Sequence, residues 1–264
     1  MHRNSPTLTL IGWGSLVLQV GGFCFGPTTH SVKKKNLSVK KLHKKPRTLY
    51  TKDSQTEHGN RNKIRNLRIG TWNIRTLYKS GSMNVVINEI TKYNLNIVAL
   101  QEIRWPGIGI FKHQETTIFY SGCKDNKHVF GVGFMINNRL LENVKSFEAI
   151  NERICYIRLK IKEQIVIIFS CHAPTEEKDG ETKDIFYDEL EQVYNATPRH
   201  AIKIILGDMN AKIGRENIYR PTIGKESLHS ISNDNGARLI HFAISNGIII
   251  SSTYFQRKDI HKQT

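Results

Sequence analysis

Residues 164–171, QIVIIFSC, are apolar at nearly every position. A strand points successive side chains to opposite faces, so such a run needs cover on both sides. Residues 96–102 (NIVALQE) and 201–208 (AIKIILGD) have the same character. Segments of helical spacing lie among them. Residues 82–93 (SMNVVINEITKY) place Val85, Val86, Ile90 and Tyr93 together, with Ser82 as the expected N-cap. Residues 181–195 do the same with Ile185, Phe186, Leu190, Val193 and Tyr194, and 235–246 also read as helix. Further strands are expected at 67–72, 117–120, 129–136, 152–160 and 247–255. Strands covered on both faces, beside amphipathic helices, predict a layered α/β architecture.

The chain has 264 residues and a formal net charge of +16, unevenly distributed. Residues 1–66 hold 13 Lys/Arg against 2 Asp/Glu, while the rest hold 26 against 21. The basic balance therefore belongs mainly to the N-terminal segment, and affinity of the folded part for polyanions must rest on its site residues. Residues 7–26 are apolar after a short basic start and read as a signal-peptide core, a weak membrane anchor or a chance extension. Five glycines and Gln19 within about 20 residues argue against a stable span, so a membrane partner is not expected. Residues 33–47 carry Lys33, Lys34, Lys35, Lys40, Lys41, Lys44, Lys45 and Arg47. This run reads as a nuclear localisation signal or phosphate-binding arm, and equally as a solvated linker. Residues 48–63 read as linker too. The expected division is 1–65, apolar stretch plus basic segment, and 66–264, folded domain. Four cysteines (Cys24, Cys123, Cys155 and Cys171) form no CxxC pair, which excludes the common zinc spacings and favours a reducing compartment.

Four segments place polar residues at the ends of apolar strands: TWNIRTLY (71–78), LQEIRW (100–105), SCHAPTEE (170–177) and LGDMNAKIG (206–214). Asn73 alone would read as a turn residue. Glu102 follows a buried strand, where a carboxylate is costly unless a cation or metal pairs with it; Arg104 or Arg75 is the bland partner. His172 alone is more often a packed core residue. Asp208 and Asn210 flank Met209, so in extended backbone both point the same way. Phosphodiester hydrolysis needs charge neutralisation, an oriented or deprotonated water and a stabilised leaving oxygen. Glu102, Asp208 with Asn210, and His172 offer a candidate for each.

TWN, LQE, CHAP and GDMNA, in this order, resemble the endonuclease/exonuclease/phosphatase superfamily. The wider wording, GTWNIRTLY, ALQEIRW, YSG, FGVGF, HAPTE, GDMNAKIG and SNDNGARL, resembles the endonuclease domain of RTE-type non-LTR retrotransposons. It equally resembles host open reading frames of the craniofacial development protein 2-like kind. The resemblance covers roughly 65–264. It implies a DNase I-like four-layer α/β sandwich, Mg²⁺ or Mn²⁺ as cofactor, and nucleic acid, DNA first, as partner. No obligate protein partner is evident, and a nuclear location is expected. It implies metal binding at Glu102 supported by Asn73, catalysis by His172, Asp208 and Asn210, and nucleic-acid contacts at Arg75, Arg104, Asn235 and Arg238.

Two departures qualify this expectation. Arg75 stands where apurinic endonucleases have an acidic residue. The superfamily also carries a later Asp and a C-terminal Asp-His pair, whereas this sequence ends at Thr264. Asp259 and His261 lie too early to be that pair. The expected outcome is a C-terminally shortened domain with impaired nicking activity. A non-catalytic nucleic-acid-binding protein is the main alternative, and a phosphoinositide phosphatase ranks last.

Overall fold

The computed structural model describes residues 66–256 continuously, together with the strand segments 7–12, 16–19 and 47–51. In chain order the elements are β1 (Thr7–Gly12), β2 (Leu16–Gln19), β3 (Arg47–Thr51), β4 (Asn66–Asn73), α1 (Ser82–Lys92), β5 (Ile97–Gln101), β6 (Ile108–His113), β7 (Thr116–Ser121) and β8 (Val132–Asn137). These are followed by β9 (Val144–Ala149), β10 (Ile154–Ile161), β11 (Gln164–His172), α2 (Gly180–Ala196), β12 (Ile202–Asp208), α3 (Asp234–Ser245) and β13 (Ile249–Ile250). They form two mixed sheets, ordered β1-β4-β5-β8-β7-β6 and β13-β2-β12-β11-β10-β9-β3.

The apolar runs are explained by where alternate residues go. Ile97 and Ala99 face the second sheet, while Val98 and Leu100 face Val86, Ile87 and Ile90 of α1. Likewise Ile168, Ile204 and Leu206 enter the inter-sheet core with Phe119, Phe134 and Phe147. Ile167, Phe169 and Ile205 pack outward against Phe186 and Leu190 of α2 and Leu239 and Ala243 of α3. The result is four layers, helix on sheet on sheet on helices, as the resemblance implied. Burying both faces of each central strand is what the unbroken Ile/Val/Phe runs require.

Each sheet contains one parallel strand–helix–strand unit: β4-α1-β5 in the first and β11-α2-β12 in the second. Asn73 pairs in register with Gln101, and His172 with Asp208. The C-terminal ends of all four strands therefore lie at one end of the sandwich, where open α/β sheets expose ligand-binding groups.

Several sequence expectations are corrected. Ser82 is the first residue of α1; the cap is Gly81 in a left-handed conformation (φ +81), and Ser82 Oγ instead donates to the Lys79 carbonyl. Strands β6 and β9 lie outside the expected set: IGIFKH contains a glycine and two polar residues, and VKSFEA interleaves three polar residues. The expected strand at 247–255 shrinks to Ile249–Ile250, followed by a 3-10 turn at Ser251–Thr253. Part of the expected linker, Arg47–Thr51, pairs with β9 as an outer strand. The apolar N-terminal stretch supplies β1, parallel to β4, and β2, antiparallel to β12 and β13. Among the described residues no helix is long and apolar enough to cross a membrane. Lys33, Lys34, Lys35, Lys40, Lys41, Lys44 and Lys45 lie outside the described residues, as do Cys24, Asp259 and His261.

Candidate active site

Asn73 is the last residue of β4, and its side chain is fully engaged. Its Oδ1 accepts from the Arg75 backbone N–H at 3.1 Å, an Asx-type turn that lets the chain leave the strand. Its Nδ2 donates to Glu102 Oε1 and to Asp208 Oδ2, each at 2.9 Å. One amide thus joins a carboxylate of the first sheet to a carboxylate of the second. Only Asn or Gln combines that donor pair with an acceptor, and the short Asn reaches its own turn.

Glu102 follows β5 with a left-handed backbone (φ +55). The next residues are held by Ile103 N–H to Gly131 O (3.0 Å) and Arg104 N–H to Phe130 O (2.8 Å). Ile103 is fully buried and anchors the loop. Arg75, Glu102, Arg104, Phe130 and Asn210 all have positive φ, between +48° and +59°. A concentration of this conformation on non-glycine residues around one locus is typical of functional sites. Arg104 Nη2 lies 2.6 Å from Glu102 Oε2. Burial acts to raise the Glu102 pKa, but hydrogen bonds from Arg104 and Asn73 and the nearby charges of His172 and Arg104 outweigh it, holding the carboxyl below its usual range.

His172 ends β11 and is 6% exposed. Its ring meets Phe130 edge-on (centroids 6.1 Å apart), and its buried Nδ1 has no hydrogen-bond partner. Arg153 lies over the same Phe130 ring, 4.0 Å from its centroid, and donates to the His172 carbonyl at 3.0 Å. Burial lowers the His172 pKa; Asp208 and Glu102 oppose this, while Arg153 and Arg104 add to it. Burial of the ring therefore favours the neutral imidazole over the charged one.

Asp208 ends β12, next to His172 in the sheet. Its Oδ1 accepts from Asn210 N–H at 3.0 Å. The extended geometry expected for 208–210 does not occur, because the strand stops at Asp208 and Asn210 is left-handed (φ +48). Asn210 Nδ2 turns to the Ala173 carbonyl at 2.8 Å. Asn235, inside α3 rather than capping it, donates to the Pro174 and Asn210 carbonyls at 3.0 and 2.9 Å. It braces the loops after β11 and β12 from behind. Arg238 is committed elsewhere, to Asp234 and Asp184, where it ties α3 to α2. Arg75 is exposed beside the cluster.

The structure therefore brings Asn73, Glu102, Arg104, His172, Asp208 and Asn210 to one sheet end. Sequence reasoning missed Phe130 and Arg153, which frame His172, and the buried pair Gln101 and Ser170 beneath the site. Arg153 precedes a strand and looks like a solvated charge; nothing local reveals its target. The donor set fits a hard divalent cation: two carboxylates close together, all oxygen ligands. Among the described residues no group of three or more His, Cys, Asp or Glu could hold a metal ion. A cation here would complete its shell with water and phosphate oxygens, as Mg²⁺ does.

The model of the Endonuclease/Exonuclease/phosphatase family matches residues 70–251. Craniofacial development protein 2 of Bos taurus is 30% identical over 189 residues, 72% of this chain and 31% of that protein. The Tragulus javanicus protein of the same name is also 30% identical over 189 residues, covering 32% of its length. The chain thus spans about a third of the curated relatives it matches. Among solved structures, the endonuclease domain of TRAS1, a telomere-specific non-LTR retrotransposon, aligns with TM-score 0.44 and 13% identity over 67% of this chain and 70% of that one. The AP endonuclease LMAP from Leishmania major aligns with TM-score 0.47 and 10% identity over 67% and 65%.

Proposed function

Because this chain belongs to the endonuclease/exonuclease/phosphatase family, we propose that its strand-end cluster is a metal-dependent phosphodiesterase site acting on nucleic acid, DNA first. The observation that carries this reading is the Asn73 amide donating to Glu102 and Asp208 together. It holds two carboxylates from different sheets within reach of one phosphate.

Glu102, with Asn73 beside it, would hold Mg²⁺ or Mn²⁺, which supplies positive charge against the phosphate. Asp208 accepts a proton from, or orients, the attacking water, and Asn210 N–H keeps its Oδ1 in place. His172, beside Asp208 at the end of β11, would serve as a hydrogen-bonding group at the phosphate or leaving oxygen. Arg104 and Arg75 add positive charge around the backbone phosphates.

The test is nicking of supercoiled plasmid in Mg²⁺ and Mn²⁺. Nicking that is abolished by EDTA, by Glu102→Ala and by Asp208→Ala supports the proposal. Nicking unaffected by Glu102→Ala removes the assignment of this cluster.

A second reading, binding without cleavage, draws on Arg104. Both Glu102 oxygens already receive hydrogen bonds, from Asn73 and the Arg104 guanidinium, so the carboxylate is compensated without a metal ion. Nucleic-acid binding that persists in EDTA, with no nicking in either metal, selects this reading over the first.

A further inference from the structure

Beside the carboxylate cluster lies an aromatic surface that the proposed chemistry does not use. Tyr78 is 64% exposed. Its ring sits 4.3 Å from that of His128, also exposed, at an interplanar angle of 42°. The two residues come from different loops, each tied to the segment that carries Glu102. Leu77 is buried, and its N–H donates to the Ile103 carbonyl at 3.0 Å; Tyr78 N–H donates to Thr76 Oγ1 at 2.9 Å. His128 Nδ1 lies 3.1 Å from the Arg104 carbonyl. A carbonyl can only accept, so Nδ1 carries the hydrogen and Nε2 is the ring's second polar atom. Arg104 in turn pairs with Glu102. A continuous path of contacts thus runs from Tyr78 through His128 and Arg104 to the candidate catalytic carboxylate.

We infer that Tyr78 and His128 form a stacking platform for the base of an unpaired nucleotide whose phosphate lies at the Glu102–Asp208 cluster. The inference rests on the nucleic-acid reading above and sharpens it to single-stranded or unstacked substrate. Tyrosine and histidine rings are common stacking partners for splayed bases, and stacking tolerates any base because each has a π-face. Within a duplex the base faces are covered by their neighbours, so an exposed ring pair gains little from paired DNA. Arg75, Lys79 and Lys124, all exposed nearby in the chain, supply charge suited to the backbone of the same strand.

The experiment measures fluorescence anisotropy of the full chain with labelled (dT)12 and with an abasic strand of equal length, in EDTA. The expected result is roughly tenfold tighter binding of (dT)12 than of the abasic strand. Tyr78→Ala is expected to erase that preference while leaving the salt slope and the abasic affinity unchanged. Tyr78→Trp should retain it, and His128→Ala should reduce it. Both rings are exposed, so each variant should keep the wild-type thermal midpoint. Equal binding of the two strands by the wild type, or an unaltered preference in both Tyr78→Ala and His128→Ala, overturns the platform while leaving nucleic-acid binding intact. Failure of the wild type to bind either strand at low salt overturns the platform, and plasmid nicking in Mg²⁺ then decides whether the nucleic-acid reading falls with it.

Discussion

Gln101 Nε2 donates to Ser170 Oγ at 3.1 Å, across the two sheets, with neither side chain exposed to solvent. Ser170 Oγ passes its own hydrogen to the Leu100 carbonyl at 3.1 Å, and Thr71 Oγ1 donates to Gln101 Oε1 at 3.3 Å. This polar pin lies one residue before Glu102 and two before His172. It sets the height of one sheet against the other where the site is built. A buried donor left without its acceptor costs about 1–3 kcal/mol. Ser170→Ala is expected to lower unfolding free energy by about that amount in urea titration. A Gln101→Ala, Ser170→Ala double-mutant cycle should show coupling of about 0.5 kcal/mol or more. Strict additivity would remove the pin.

Asn73 is expected to matter through the carboxylates it joins. Asn73→Ala removes both donors and the turn acceptor. Loss of such a supporting partner typically lowers metal affinity or activity roughly 10- to 100-fold. Asn73→Asp retains the turn acceptor but adds a third carboxylate to Glu102 and Asp208 and should be the worse variant in metal-free stability. Mg²⁺ titration by calorimetry and plasmid nicking check both, and an Asn73→Asp protein as stable as wild type in EDTA would contradict the geometry.

His172 predicts a pH dependence with a definite sign. Burial, the largest influence, lowers its pKa in the folded state below the unfolded value. Between the two pKa values the unfolded chain binds more protons, so stability falls as pH drops. The contribution is complete above about pH 6.5, the ordinary histidine value, and is lost on acidification toward the lower folded pKa. Urea midpoints of wild type and His172→Gln, compared from pH 8 to pH 5, should converge or cross in the acid direction, wild type losing more. A parallel pair of curves would mean that His172 titrates as in the unfolded chain.

Gly207 tests the closeness of β11 to β12. Its φ is +152, and an added Cβ would lie 2.0 Å from the Cys171 carbonyl oxygen. A backbone atom cannot swing aside as a side-chain tip can. Gly207→Ala should therefore destabilise the fold by about 3 kcal/mol or more, read as a lowered thermal midpoint, and should displace Asp208 from Asn73. A wild-type midpoint would show that the strands can part cheaply.

Much of the architecture was legible in local pattern. The runs at 96–102, 164–171 and 201–208 demanded cover on two faces, and the three helices lie within one or two residues of their expected bounds. The strands β6 and β9 were not legible, because their residues have no alternation that distinguishes them from loop; they are strands because β7 and β10 give them partners. The same limit applies to the cap of α1, which depends on backbone conformation at Gly81 rather than on the chemistry of Ser82.

What the sequence by itself determined is the set of polar residues at the ends of doubly buried strands, since periodicity and strand-end position are properties of a few adjacent residues. Tertiary structure alone decided what they do to one another. Asn73 meets Glu102 from 29 positions away and Asp208 from 135, and no local pattern encodes such pairings. It also turned Asn210 toward Ala173 and committed Arg238 of α3 to Asp184 of α2, whereas the Arg104–Glu102 and Arg238–Asp234 pairs join near neighbours in the chain. Charged and amide side chains are long and many partners are chemically equivalent. Which one each finds is settled only where the two strand–helix–strand units pack face to face.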